Sequence, residues 1–141
     1  MKMTLLLLTI LLFSNIGYSQ KTEIYNPGAD ANAEVKKAIK LASEQNKHVF
    51  LQVGGNWCSW CIKFHHFVEA DTEIKTFVDT NYEVVKVNYD QKNRNEELLE
   101  KLGFPQRFGF PVFVILDGNG NRIHTQNSVY LEKDKGYDRE R

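Results

Sequence analysis

Cys58 and Cys61 are the only cysteines in this 141-residue chain, and they stand two residues apart where the local pattern changes. Ahead of them, His48-Val49-Phe50-Leu51-Gln52-Val53 has the length and apolar content of a buried strand. Behind them, Ile62-Lys63-Phe64-His65-His66-Phe67-Val68 repeats its apolar residues at helical spacing. The pair therefore sits at a strand-to-helix junction. Cys58 falls near the helix N-terminus, where free N–H groups and the positive dipole end favour thiolate over thiol. Cys61 lies one turn further in, close enough to close a small disulfide ring. Closing so short a loop removes little chain entropy, so the spacing suits reversible thiol–disulfide exchange better than a structural cross-link.

The first residues set the compartment. One positive charge at Lys2, an apolar run from Thr4 to Phe13 and a small-residue exit at Gly17 and Ser19 read as a signal peptide over residues 1–19. The run is shorter than the roughly 20 residues of a spanning helix. Export to the periplasm or beyond would place the cysteines where disulfides persist. Residues 20–141 then form a single domain. Loss of Lys2 moves the formal charge from 0 to −1, which gives no electrostatic case for nucleic acid as a partner.

The remaining chain alternates helix and strand signals. Residues 20–31 are polar, with a turn at Asn26-Pro27-Gly28. Val35, Ala38, Ile39 and Ala42 mark one face of a helix over 32–46, capped by Asp30 or Asn32. Asp71 caps a short helix carrying Ile74, Phe77 and Val78. Tyr82–Asp90 reads as a second strand. Glu96–Leu102 is a short helix stopped by Gly103. Phe104–Phe110 is irregular and aromatic. Val112–Leu116 is a third strand, and Asp117-Gly118-Asn119-Gly120 signals a hairpin to a returning strand over 121–126. Residues 127–141 carry no assignable pattern. This order predicts an α/β fold: a mixed sheet with a parallel centre, an antiparallel edge hairpin and helices on both faces.

Together these features resemble the thioredoxin-fold family. The resemblance spans about Val49 to Ile123 and rests on Trp57-Cys58-Ser59-Trp60-Cys61 after a buried strand, on Lys86-Val87-Asn88-Tyr89-Asp90, and on Gly109-Phe110-Pro111 before the hairpin. It implies that Cys58 is the exposed nucleophile and Cys61 the buried resolving thiol. It also implies a cis Phe110–Pro111 bond facing the cysteines, with Trp57, Trp60, Phe110 and Pro111 about the substrate. Three departures stand out. Gln52 occupies the place of a buried Asp that handles the resolving thiol's proton, and an amide cannot titrate. Ser59-Trp60 replaces Gly-Pro between the cysteines. The family's final helix is missing or truncated, since Tyr137–Arg141 stops where it would begin.

The function that follows is an exported thiol–disulfide oxidoreductase, with the reductive direction favoured over the oxidative. Its partners would be protein disulfides or dithiols and a membrane-bound or soluble thiol electron donor. It needs no cofactor and acts as a monomer. Two alternatives come from other classes: a non-catalytic module that docks peptides on the Phe110-Pro111 loop, and a metal carrier using the cysteine pair. For the latter, Cys58, Cys61 and His65 share a helix face, with His66, His48 or His124 to complete zinc. Zinc sites usually draw on two separated pairs, however, and only one Cys pair exists, so no metal site is assigned. Covalent haem is excluded by Ile62, which stands where a His would follow the second Cys. Lys86 is either a partly buried cation biasing the thiols or a strand residue reaching water. Phe104, Phe108, Phe110 and Phe113 are read mainly as core. Trp57 is the better candidate for core packing, and Trp60 for exposure.

Overall fold

The computed structural model describes residues 22–141, so the predicted signal peptide lies outside the described residues. The elements are α1 (Ala31–Gln45), β1 (His48–Gly54), α2 (Ser59–Ala70), α3 (Thr72–Asn81), β2 (Tyr82–Asn88), α4 (Glu96–Lys101), β3 (Val112–Leu116) and β4 (Arg122–Asn127). Two strands of two residues each follow, β5 (Glu132–Lys133) and β6 (Gly136–Tyr137). Short 3-10 helices occupy Pro105–Phe108 and Ser128–Leu131.

Both capping predictions are met by local hydrogen bonds. Asp30 caps α1 by accepting from the Ala33 amide, and Asp71 caps α3 by accepting from Glu73 and Ile74. In the turn after β3, the Asp117 carboxylate accepts from the Asn119 and Asn121 amides. That closes the chain onto β4.

The four-stranded sheet runs β2-β1-β3-β4. β1 pairs parallel with β2 and antiparallel with β3, and β3 pairs antiparallel with β4. The sheet is mixed as predicted, but its centre is not parallel: the one parallel pair, joined by the α2–α3 crossover, is β1 with the edge strand β2, and the central β1–β3 pair is antiparallel. Alternation along β1 divides the two faces. Val49, Leu51 and Val53 join Val35, Ala38 and Ala42 of α1 and Leu98 and Leu99 of α4 in one buried cluster. Each Val or Leu among them contributes about 1.5–3 kcal/mol on leaving water.

Phe50 and Gln52 point the other way, toward α2. There Phe64 lies 4.4 Å from Phe113 and 6.1 Å from Phe50, ring centre to ring centre. Gln52 stands level with Lys86 on β2 and with Phe113 on β3. The register thus puts an amide beside a lysine on the inner side of α2.

No α-helix follows β4 among the described residues. Instead the β5–β6 hairpin folds back on α2. Tyr137 packs against Trp60, Phe64 and Phe67, and its hydroxyl donates to the Trp60 carbonyl.

Two aromatic assignments are corrected. Phe104 and Phe108, read as core, are 49% and 42% exposed. Phe104 precedes and Phe108 ends the 3-10 helix at Pro105–Phe108, whose buried member is Pro105. That turn spends its inward position on the proline, leaving the two rings outside.

Candidate active site

β1 ends in Gly54, and the chain turns through Gly55-Asn56-Trp57 into α2. The turn is closed by the Cys58 amide, which donates to the Gly55 carbonyl at 3.0 Å. Cys58 is the N-cap of α2, with its sulfur taking the capping role: the Cys61 amide donates to Cys58 Sγ at 3.2 Å. Cys58 and Cys61 are joined as a disulfide. Both are buried, Cys61 completely and Cys58 to 5% exposure. The expected exposed nucleophile is therefore corrected. Tyr25, Trp60 and Phe110 pack around the pair and narrow the approach to Cys58.

The aromatic residues divide differently from the sequence reading. Trp57 is 52% exposed, whereas Trp60 is half-buried. Trp60 is covered by Tyr137 edge-on, and Lys63 Nζ sits 4.2 Å from its ring centre. Trp57 is held at the surface by its own indole N–H, which donates to the Tyr89 carbonyl at 2.7 Å. Phe110 packs edge-on against Trp57 at 5.3 Å and lies 4.9 Å from Tyr89. The Phe110–Pro111 peptide is cis. The Pro111 ring is fully buried, so this loop faces outward through Phe110 and its backbone. Beside Trp57 an open groove of about 510 Å³ runs between Pro27 and Tyr89, with Lys92 and Arg94 on its wall.

Beneath the disulfide lies a buried polar chain. Gln52 is fully buried. It accepts from Lys86 Nζ and donates to the Tyr25 hydroxyl at 2.8 Å and to the Cys61 carbonyl at 3.1 Å. Burial lowers the Lys86 ammonium to about 8, with Glu69 pulling the other way. His65 shares a cleft of about 250 Å³ with Lys86 and Glu69. Its burial, and next the Lys86 charge, hold its pKa below the usual imidazole value. Among the described residues no three His, Cys, Asp or Glu side chains gather as metal ligands.

Tyr25 escaped the sequence reading, because residues 20–31 show no periodicity and read as a polar turn. Its burial is imposed from a distance. The Asn56 side chain accepts from the Ile24 and Tyr25 amides and donates to the Tyr25 carbonyl, clamping the segment over the turn. Gly54 makes room for it, since a Cβ there would come within 3.0 Å of both Cys61 Sγ and Tyr25 Oη.

Comparison with known proteins agrees with this geometry. A family profile described as Thioredoxin-like matches residues 30–118. The chain is 28% identical over 96 residues to a disulfide bond reductase, DsbH, from Chlamydia pneumoniae. That match covers 62% of this chain and 56% of the relative, so the chain spans little more than half the relative's length. Among solved structures it resembles a disulphide isomerase from Xylella fastidiosa Temecula1, with a TM-score of 0.72 and 27% identity. The match covers 82% of this chain and 91% of the other. It also resembles a DsbH oxidoreductase structure, with a TM-score of 0.50 and 27% identity over 65% of this chain and 68% of that one.

Proposed function

The chain belongs to the thioredoxin-like family, and from that premise we propose that it is an exported thiol–disulfide oxidoreductase working in the reductive direction through Cys58 and Cys61. The observation that carries this reading is the capping of α2 by Cys58 Sγ. A sulfur that accepts a backbone N–H at a helix N-terminus is stabilised as an anion once the disulfide opens. Thiolate, not thiol, is the nucleophile.

In the reductive cycle the Cys58 thiolate attacks one sulfur of a substrate disulfide. A Cys58–substrate bond forms, and the other substrate sulfur leaves with the electron pair. Cys61 then attacks Cys58 Sγ, forming the Cys58–Cys61 bond seen here and releasing the second substrate thiol. Two electrons pass from the dithiol to the substrate, and a membrane-bound or soluble thiol donor restores the dithiol. Because the approach to Cys58 is narrow, the substrate disulfide is best presented on an extended segment. Trp57 and the Phe110 backbone would hold that segment.

Reductase is favoured over oxidase because the matching relative from Chlamydia pneumoniae is named a disulfide bond reductase. The leader-like residues 1–19 support export. No helix of the described residues is long and apolar enough to cross a membrane.

Insulin reduction in dithiothreitol tests the proposal. The wild-type protein should accelerate precipitation of the insulin chains, and Cys58→Ser should abolish the acceleration. Cys61→Ser should accumulate a mixed disulfide with insulin. A wild-type rate equal to dithiothreitol alone would overturn the enzyme reading in favour of a peptide-docking module.

A further inference from the structure

The hydrogen bonds beneath the disulfide all run in one direction. Lys86 donates to Gln52, and Gln52 donates to Tyr25. Gln52 also fixes the Cys61 carbonyl, so the amide cannot turn over without losing bonds at both ends. The Tyr25 oxygen is thus used as an acceptor, and its own proton remains to be placed. Among the described residues no oxygen or nitrogen accepts from the Tyr25 hydroxyl, although the residue is only 3% exposed. Its buried neighbours are Cys58 and Cys61. Cys61 and Tyr25 both line the space beside Gly54: a Cβ built there would lie 2.4 Å from Cys61 Sγ and 2.7 Å from Tyr25 Oη.

Resting on the redox reading above, we propose that Tyr25 is the hydrogen-bond donor that stabilises the Cys61 thiolate when the disulfide is open, as the last link of the chain Lys86–Gln52–Tyr25. In the oxidised protein that sulfur is neutral and a weak acceptor. On reduction Cys61 becomes a buried thiol, and ionising it there without a donor is opposed by burial. A chain that starts at an ammonium and ends in a buried O–H free to turn to the sulfur offsets that penalty.

The balance of the step is simple. The proton lost by Cys61 goes to solvent, and the Cys61 thiolate attacks Cys58 Sγ. The Cys58–substrate bond breaks, and the departing substrate sulfur takes the electron pair and regains a proton from water. Tyr25 keeps its proton throughout. Burial supports this, holding the phenol above its ordinary range and so protonated at any working pH. The titratable groups facing the chain are Tyr137 from β6, against Tyr25, and Glu69 and His65 from α2, against Lys86. A tyrosine and a lysine thus favour the Cys61 thiolate by hydrogen bonding, where a buried carboxylate at position 52 would instead accept its proton.

The test is to titrate Cys61 alone, in a Cys58→Ser background, with and without Tyr25→Phe. The phenylalanine keeps the ring and its packing, and the native fold is checked by circular dichroism. The Cys61 pKa should rise by about one unit, a tenfold loss of thiolate at a given pH. With Cys58 restored, resolution of a Cys58–glutathione mixed disulfide should slow about tenfold near neutral pH, while alkylation of Cys58 stays unchanged. Lys86→Met should shift the Cys61 pKa in the same direction by less. An unchanged Cys61 titration in both variants, or equal slowing of Cys58 alkylation, would overturn the proposal. The titration reads the Tyr25 contact whether or not the protein reduces insulin, so failure of the redox reading and failure of this one appear separately.

Discussion

An amide at position 52 can accept from Lys86 with its oxygen while donating to Tyr25 and to the Cys61 carbonyl with its nitrogen. A carboxylate could only accept, and an aliphatic side chain would leave buried polar groups without partners, each costing about 1–3 kcal/mol. Holding Lys86 in that place has a measurable consequence. Its pKa is about 8 in the folded chain against 10.5 when free. Between those values the unfolded chain binds more protons than the folded one, so stability rises with pH across the window. Below about 8 both states carry the charge and the burial penalty is felt in full. Urea denaturation across the window should therefore show wild type gaining on the order of 1–3 kcal/mol relative to Lys86→Met. Parallel pH dependences for the two proteins would contradict the buried-ammonium account. Gln52 was legible as interior through the resemblance, which places it where the family carries a buried Asp, whereas Lys86 read equally as a buried cation or as a strand residue reaching water. Tyr25 was not legible, because its position depends on Asn56, 31 residues away.

At the scale of elements, α1 was readable from its helical periodicity, and β1, β2 and β3 from short runs of apolar, β-branched and aromatic residues. The terminal hairpin was not. Two-residue strands have no period to detect, and β5 and β6 are held by Tyr137 packing on α2 rather than by their own sequence. The same contact explains why the two tryptophans exchange the roles read from the chain. A residue in the first turn of an isolated helix would be open to solvent, but Trp60 is covered by the hairpin. Trp57 is drawn outward by its bond to Tyr89. Tyr137→Ala should remove this cover and cost about 2–4 kcal/mol in chemical denaturation. It should also red-shift the tryptophan emission as Trp60 meets water. A variant with wild-type stability and emission would show that the hairpin merely lies alongside α2.

The molecule as a whole converges its chemistry on the C-terminal end of β1. Pairing β1 parallel to β2 brings Lys86 level with Gln52, and pairing it antiparallel to β3 brings Phe113 to the same level. The cis Phe110–Pro111 loop that precedes β3 then arrives beside the cysteine turn. One face of the sheet supplies the hydrophobic core with α1 and α4, while the other supports the disulfide from below. Fold and cysteine pair were legible together because a strand, a Cys-x-x-Cys turn and a helix in that order allow few other arrangements. The burial of Cys58 was not legible, since it comes from aromatic residues far apart in the chain. The most direct measurement of the central claim is mass-mapped iodoacetamide labelling of the fully reduced protein near neutral pH. The account predicts that Cys58 is modified well before Cys61, with a rate that follows a thiol ionising below the ordinary value of about 8.5. Equal and slow labelling of both cysteines would contradict it.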